Sequence, residues 1–268
     1  MADWQIPPGV TKGNWEYAQA QYISTNYDQF LADDPLTVAD RKILDRYFPV
    51  IQRVESPEGR AGPVVADFGC GNGRTLVPLL GRGYRGLGID LSIPMLSGFA
   101  KKISESSKLN HDLMLVQANL VELEGFSDNT IDHAISLFST LGMIAGQLHR
   151  AAFLGHVRRM LKPGGMFVMH AHNVWFQTRH PGGIRWVIQN AFNHVRGKSE
   201  FGDRTATYRS INEVFIHSFQ KSTLEAELVK AGFRVKKWFG ILPGSEEAVE
   251  KLPWPSAWRT IGWIVVCE

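Results

Sequence analysis

From residue 64 onward, short apolar runs alternate with amphipathic stretches, and glycine, proline or polar residues commonly separate them. Runs of β-branched and apolar residues predict strands, whereas apolar positions that recur every three or four residues predict helices. The predicted strands cover residues 64–68, 84–90, 112–118, 131–138, 166–172, 233–241 and 261–267. The predicted helices cover residues 15–30, 37–54, 75–80, 92–104, 147–161 and 222–231, with Ser92 as an N-cap.

This alternation predicts an α/β fold with a doubly wound, mainly parallel sheet of seven strands and helices on both faces. The last two strands follow each other without a helix, so we expect an antiparallel hairpin at one edge. Residues 174–215 interrupt the alternation with a long, aromatic and basic stretch. We expect this stretch to be a cap insertion, built from a helix and strands, within a single domain that spans residues 1–268.

Composition restricts the class of protein only broadly. The 268 residues are 44% hydrophobic and 21% charged, which is typical of a folded domain, and the net charge of +3 is too small to require a nucleic-acid partner. Two cysteines do not suggest a disulfide framework, and no apolar run reaches the ~20 residues that span a bilayer. The beginning of the sequence lacks the basic and apolar regions of a signal peptide. We therefore expect a cytoplasmic protein without a membrane partner.

The segment "VVADFGCGNGRTLVPLL", residues 64–80, carries the first chemical signal. Gly69, Gly71 and Gly73 occupy the predicted turn between the first strand and its helix, where a Cβ would hinder tight reversal or the close approach of a ligand. Such a turn is expected to present free backbone N–H groups to a polar or anionic ligand at a helix N-terminus.

A second signal is Asp90, which ends the second predicted strand about twenty residues after the first glycine, where a carboxylate can bind ribose hydroxyls. Arg74 stands where a dinucleotide-binding turn has its third glycine. Asp67, two residues before the turn, would repel a pyrophosphate but suits the ammonium group of an amino acid. The pattern favours a ligand that combines a ribose with an amino-acid tail, such as S-adenosylmethionine.

Five segments in this order resemble the motifs of class I S-adenosylmethionine-dependent methyltransferases: "VVADFGCGNGRTL", "GLGIDLS", "LVQANLVEL", "IDHAISLFSTLGMI" and "LKPGGMFVMHAHN". The resemblance is close over residues 64–173 and looser beyond them. It implies a Rossmann-like fold, methyltransferase activity and S-adenosylmethionine as the cofactor. It also implies that residues 1–60 form a helical lid, since the N-terminal segments of similar enzymes do so.

The resemblance also assigns expected cofactor contacts. The methionine part would lie against the glycine turn, the ribose against Asp90, the adenine between the residues that follow the second and third strands, and the methyl-transfer channel along the end of the fourth strand. The residues implied are Asp67, Gly69, Cys70, Gly71, Asn72, Gly73, Asp90, Leu91, Met95, Asn119, Leu120, Leu137 and Phe138. For Leu91, Met95, Leu120 and Leu137, plain core packing is an alternative.

No catalytic residue follows from the fold, because the cofactor already carries an activated methyl group. The candidates lie where a substrate would approach: His172 as the first choice, then His217, with Tyr27 of the lid. A histidine that titrates near neutral pH could serve as a base. His170 and His172 share one strand face, yet no cysteine or acid accompanies them in the sequence, so no metal site is expected.

The fourth strand ends in "SLFSTLG", which lacks the Asp/Asn-Pro-Pro-aromatic motif of methyltransferases that act on exocyclic amino groups of bases. The cap mixes arginines with aromatic residues, which suits a lid over a small, anionic substrate or an RNA surface. We expect methyl transfer to an oxygen or nitrogen of a small molecule. One alternative is a tRNA methyltransferase of the wobble-uridine type, and another is a protein that binds S-adenosylmethionine without catalysis.

Overall fold

The computed structural model describes residues 6–32, 34–51, 55–56, 59–60, 62–105, 113–245, 247–252 and 255–268. Parts of two predicted elements therefore lie outside the described residues: 52–54 of the second helix and residue 112 of the third strand. The strands are β1 (Glu55–Ser56), β2 (Gly59–Arg60), β3 (Val64–Phe68), β4 (Arg85–Asp90), β5 (Leu113–Gln117), β6 (Ile131–Ser136), β7 (Leu161–His172), β8 (Asp203–Tyr208), β9 (Ile211–His217), β10 (Val235–Ile241), β11 (Ala248–Val249) and β12 (Gly262–Cys267). The helices are α1 (Lys12–Gln19), α2 (Gln21–Leu31), α3 (Pro35–Tyr47), α4 (Leu76–Gly81), α5 (Ile93–Ser104), α6 (Gln147–Met160), α7 (Gly183–Val195), α8 (Lys221–Lys230) and α9 (Ser256–Arg259).

The central sheet has the order β11-β10-β12-β7-β6-β3-β4-β5. The five strands from β5 to β7 are parallel, whereas β12 runs antiparallel to both β7 and β10. The prediction of a doubly wound, mainly parallel sheet with an antiparallel hairpin is thus confirmed, and the two-residue β11 adds an eighth strand. The chain order reverses at β3, which places a ligand crevice beyond the carboxyl ends of β3 and β4.

Helices cover both faces of the sheet because successive strand residues point to opposite sides. In β3, Val65 belongs to the core beneath α3, α4 and α5, while Ala66 and Phe68 belong to the core beneath α6 and α8. Each core is continuous across the sheet. Every helix among the described residues is too short or too polar to cross a membrane.

Helices α1 and α2 lie against the carboxyl edge of the sheet. Ser92 caps α5 by accepting a hydrogen bond from Met95 N at 3.2 Å, and its hydroxyl donates to Ala18 O at 2.5 Å. The predicted helix 15–30 is in fact two helices, because Ala20 is extended (φ −77°, ψ 103°). Alanine favours helix, so this break comes from tertiary contacts such as that hydrogen bond and not from local propensity.

The cap insertion begins with a 3₁₀ helix, Val174–Arg179, and continues through α7 into the β8–β9 hairpin. This agrees with the expected helix and strands, although β9 continues to His217. Asn14 ties the hairpin to α1: its Nδ2 donates to Phe215 O at 3.2 Å, and its Oδ1 accepts from Phe215 N at 2.7 Å. Nδ2 also donates to Met143 O at 2.8 Å, so α1 bridges the cap and the loop after β6.

The third glycine of the turn, Gly73, packs against a helix. Its φ is +84°, and a Cβ on it would lie 2.3 Å from the ring of Phe99 in α5. We expect Gly73→Ala to lower the free energy of unfolding by about 3 kcal/mol, because backbone strain adds to overpacking. Gly164→Ala is the matched control, since Gly164 has φ +79° with no atom near its added Cβ, and we expect it to cost only about 1–2 kcal/mol. Denaturant titration measures both, and equal losses would contradict this packing role.

Candidate functional site

A cavity of about 500 Å³ lies beyond the carboxyl ends of β3 and β4. This volume falls within the range of about 300–1,000 Å³ that small-molecule sites occupy. The glycine turn and Asp90 form one end, Leu137 and Phe138 lie along it, and His172 and Arg204 form the other end. Helices α1 and α2 and the cap hairpin also contribute to its wall, so residues far apart in the sequence meet there.

The glycine turn folds back onto the end of β4. Gly69 N and Cys70 N both donate to Ile89 O, at 2.8 and 3.1 Å, and Gly73 N donates to Cys70 O at 3.0 Å. The expectation of free N–H groups in this turn is therefore wrong for these residues, because β4 and the turn itself take them. The turn instead leaves space for a ligand, because Gly71 lines the cavity without a side chain. An added Cβ on Gly71 would lie 3.6 Å from the ring of Tyr27, which also lines the cavity.

Asp90 holds the turn and faces the cavity at the same time. Its carboxylate accepts hydrogen bonds from Gly71 N at 2.7 Å and from Ser92 N at 2.8 Å. Burial raises the pKa of Asp90, although these N–H groups act in the opposite direction. A carboxylate has about four acceptor positions, so Asp90 can still accept a hydrogen bond from a ribose hydroxyl. The donor set thus fits a nucleoside.

Asp67 lies in the cavity wall and is 2% exposed. Burial raises the pKa of Asp67 to about 7. Two neighbours act in the opposite direction: the hydroxyl of Thr75, which donates a hydrogen bond to the carboxylate, and the positive charge of Arg74. No ion pair among the described residues includes Asp67, and a buried carboxyl of this kind suits a positively charged partner such as an ammonium group. Asp67 therefore also fits an amino-acid tail.

Arg74, which the sequence analysis gave no role, lies beside Asp67 in the same wall. Its Nη2 is 3.1 Å from Asp40 Oδ2, and Nδ1 of His170 is 3.0 Å from Asp40 Oδ1. Burial alone would raise the pKa of Asp40, but these two neighbours hold it below its ordinary value. The buried pair of His170 with Asp40 explains why His170 stays inside the sheet and does not reach the cavity.

The expected adenine contacts come together on one side of the cavity. Leu91, Met95, Asn119 and Leu120 all line it. The amide of Asn119 donates to Pro8 O at 3.0 Å and to Glu122 Oε2 at 2.8 Å, so it also fastens the N-terminal segment. Its Oδ1 accepts from Val121 N at 3.3 Å and keeps a second acceptor position.

Leu137 and Phe138 line the cavity where β6 ends. Phe138 (φ +55°) and Ser139 (φ +64°) are two consecutive residues in the left-handed region. Such strain is costly for residues with a side chain and clusters at functional sites. The turn brings Ser139 Oγ within 3.3 Å of His172 N, from which it accepts a hydrogen bond, so it fixes the end of β7 as well.

His172 and Tyr27 both reach the cavity wall. Burial lowers the pKa of His172 to about 3, with the charges of His170 and Arg204 acting in the same direction. The expectation that this histidine titrates near neutral pH is therefore wrong, and its imidazole is neutral throughout the physiological range. Burial also raises the pKa of Tyr27, so its hydroxyl stays protonated and can donate a hydrogen bond.

Three sequence-predicted residues lie outside the lining of this cavity: Asn72, Gly73 and His217. Asn72 Nδ2 donates to Asp28 Oδ1 at 2.9 Å. His217 Nδ1 lies 2.7 Å from Asp203 Oδ1, and its ring packs on Phe219 with centroids 4.5 Å apart. These contacts give Asn72 and His217 structural roles at the base of the lid and of the cap.

Glu200, Asp203 and His217 have ligand atoms within 4.8 Å of one another, the spacing of a possible metal site. Glu200 is already engaged, because its Oε2 is 2.6 Å from Nη2 of the buried Arg150. His217 is likewise paired with Asp203. The group is thus part of a polar network that joins α6 to the cap.

Sequence reasoning also missed Asn14, which lines the cavity while clamping the hairpin. Nothing in the sequence distinguishes it from an ordinary surface asparagine in an amphipathic helix. Arg204 is one of six lysines and arginines in the cap, and the sequence does not distinguish it from the other five. In the structure it lies in β8, opposite Ile216 of β9. Both residues become visible only after the cap is folded onto the sheet.

Residues 65–165 match a family model described as a methyltransferase domain. The matched segment is similar to the S-adenosylmethionine-dependent methyltransferases, as its motifs predicted. The matched segment runs from β3 to β7 and contains the glycine turn and Asp90. S-adenosylmethionine is the cofactor of this family.

Relatives with known sequences or structures support the methyltransferase fold. YqeM of Bacillus subtilis, named as a methyltransferase, is 26% identical over 153 residues, which are 57% of this chain and 55% of YqeM. The chain thus matches about half the length of that curated relative. The CcbJ methyltransferase of Streptomyces caelestis superimposes with a TM-score of 0.65 at 17% identity, covering 98% of this chain and 99% of CcbJ. The 1,6-didemethyltoxoflavin-N1-methyltransferase of Burkholderia thailandensis gives a TM-score of 0.57 at 16% identity, covering 97% of this chain and 91% of that enzyme.

Proposed function

We propose that the protein transfers a methyl group from S-adenosylmethionine to an oxygen or nitrogen atom of a small molecule. We further propose that residues 1–268 act as one domain in the cytoplasm, where α1, α2 and the cap serve as the lid. Two buried, free cysteines are consistent with a reducing compartment.

The shape of the cavity is the observation that carries this proposal. Lid helices, cap hairpin and sheet edge all contribute to its wall, and most of its lining is apolar. A concave, mainly apolar site with a few polar groups is typical of small-molecule binding. Most of the cap cations that suggested an RNA surface do not reach it: Arg179, Arg185, Arg196 and Lys198 lie outside its lining, and Arg185, Arg196 and Lys198 are exposed.

The donor half of the cavity is assigned residue by residue. Asp90 would bind the ribose hydroxyls, and Asp67 the ammonium group. Leu91, Met95 and Leu120 would pack beside the adenine, with Asn119 at its polar edge. Gly69, Cys70 and Gly71 would leave room for the methionine part, while Asn72 and Gly73 keep the turn in shape.

When bound, S-adenosylmethionine would supply an electrophilic sulfonium methyl group, whose carbon a lone pair of the acceptor attacks in line while the carbon–sulfur bond breaks and its electron pair remains on sulfur. The protein has to align the acceptor with this direction and exclude water. Leu137 and Phe138 would form the channel walls. His172, neutral at physiological pH, can accept a hydrogen bond from the acceptor, and Tyr27 can donate one.

The experiment is incubation of the purified protein with methyl-labelled S-adenosylmethionine and either total tRNA or a small-molecule metabolite extract. We expect label in small solutes and none in RNA. Label in RNA would favour the tRNA methyltransferase, and cofactor binding without transfer would favour a binding protein; either result contradicts the proposal. Glu105→Gln, which changes an exposed carboxylate at the C-cap of α5 outside the cavity lining, is the control variant and should retain full transfer.

A further inference from the structure

A second cavity, of about 360 Å³, adjoins the first. Its wall includes Asn173, Phe176 and His180 of the segment that leads into the cap. His172 and Arg204 line both cavities, so they stand where the two meet. The guanidinium of Arg204 therefore lies at the end of the site opposite the glycine turn and Asp90.

Arg204 is a partly buried cation that forms no ion pair with any of the described residues. Its Nε is buried and has no hydrogen-bond partner, and no carboxylate in the described part of the chain pairs with it. Burial lowers the pKa of its guanidinium accordingly. Burying an unpaired charge is costly, so a fold retains one chiefly where something else pairs with it.

Arg150 provides a comparison, because it is a buried arginine that is paired with carboxylates. Its guanidinium is 1% exposed and is bonded to Glu200 at 2.6 Å and to Glu227 at 2.9 Å. These carboxylates raise the pKa of Arg150 in spite of burial. Arg204 has no such carboxylate partner among the described residues, and it lines two cavities.

The position of Arg204 is fixed before any ligand arrives. It pairs with Ile216 in the β8–β9 hairpin, and the neighbouring Phe215 is held from both backbone atoms by Asn14 of α1. Among the described residues, the acidic side chains of the first cavity are Asp34, Asp67 and Asp90, and none lines the second. The end of the site around Arg204 is therefore electropositive, and the end around Asp67 and Asp90 is electronegative.

We propose that Arg204 binds an anionic group, most simply a carboxylate, on the methyl acceptor, which makes the substrate a small organic acid. This rests on the proposed methyltransferase function and adds the substrate class to it. A guanidinium can bind a carboxylate through two parallel hydrogen bonds, which would fix the orientation of the acceptor as well as its charge. The apolar wall between the two ends would hold the rest of the molecule.

The test uses benzoate and its neutral analogue benzamide as probes, titrated by ligand-observed NMR into the full chain saturated with S-adenosylhomocysteine. We expect the wild-type protein to bind benzoate at least about tenfold more tightly than benzamide. Arg204→Gln should abolish this preference while keeping its affinity for S-adenosylhomocysteine. Arg196→Gln, which removes an exposed cap cation stacked on Phe192 at 3.9 Å, should keep it.

Equal binding of the two probes by the wild-type protein, or no detectable binding of benzoate, would overturn the assignment. So would an unchanged preference in Arg204→Gln. The wild-type comparison decides the question even if that variant does not fold. Because binding of S-adenosylhomocysteine and label transfer are measured separately, their failure would count against the methyltransferase function, whereas failure of the charge preference alone counts only against the role of Arg204.

Discussion

Replacing Asp90 with asparagine is expected to weaken binding of S-adenosylhomocysteine by on the order of 100-fold. The carboxylate would bind two ribose hydroxyls, and hydrogen bonds to a charged group contribute about 1.5–3 kcal/mol each, against 1.4 kcal/mol per tenfold change in affinity. The same side chain accepts hydrogen bonds from Gly71 N and Ser92 N, so the variant also loosens the turn. Isothermal titration calorimetry at a temperature where the variant is folded measures the effect on binding.

Glu105→Gln provides the control for Asp90, because it neutralises an exposed carboxylate that pairs with Lys101. Its affinity for S-adenosylhomocysteine should equal that of the wild-type protein. Denaturant titration of Asp90→Asn reports the structural part of the effect separately. Wild-type affinity in a folded Asp90→Asn protein would refute the ribose assignment.

Affinity for S-adenosylhomocysteine is also expected to rise with pH between 5.5 and 7, by on the order of tenfold. In the free protein Asp67 has a pKa of about 7, raised from its ordinary value by burial, so it carries a proton through most of this range. An ammonium group in contact favours the charged form and lowers the pKa. Binding therefore releases a proton, and the affinity falls as the pH falls below 7. The ligand's own α-amino group stays charged throughout this range.

Asp67→Asn is the matched variant for this pH dependence. It keeps the size of the side chain and removes the titrating group, so its affinity should change little between pH 5.5 and 7. Asp90, Asp40 and Arg74 surround Asp67 and remain in both proteins, so any pH dependence that they contribute appears in both titrations. Identical pH profiles for Asp67→Asn and the wild-type protein would contradict the ammonium assignment.

The sheet could be predicted from sequence because its signals are local. Apolar strands, amphipathic helices and the Ser92 cap all agree with the tertiary fold, and the predicted strands appear within a few residues of their observed ends. Strand β7 begins earlier than predicted, at Leu161, since the "KPGG" segment extends it by pairing irregularly with β6. The break at Ala20 and the short β11 depend on distant contacts and leave no local signal.

The part of the cavity around the glycine turn and Asp90 could be predicted for the same reason. Glycines in a strand-to-helix turn and an acid after the next strand are read directly from spacing, and most of the residues so chosen line one cavity. The hydrogen bonding and protonation of those residues could not be predicted from their spacing. The partners of the turn N–H groups, the pKa of His172 and the pKa of Asp67 are set by burial and by neighbours far away in the chain.

The acceptor end was the least predictable part. The left-handed backbone at Phe138 and Ser139 occurs without a glycine or asparagine to signal it. Asn14 and Arg204 gain their importance only because the lid and the cap meet across the cavity. Because the cap is far from the N-terminal helices in the sequence, spacing along the chain does not predict which of their residues come together.

The most direct measurement is a crystal structure of the protein with S-adenosylhomocysteine. The predicted result is a ligand in the 500 Å³ cavity, with both ribose hydroxyls on the carboxylate of Asp90, the amino group at Asp67, and the sulfur facing the chamber that ends at His172 and Arg204. A ligand bound elsewhere, or in this cavity with its amino-acid end away from Asp67, would contradict the account.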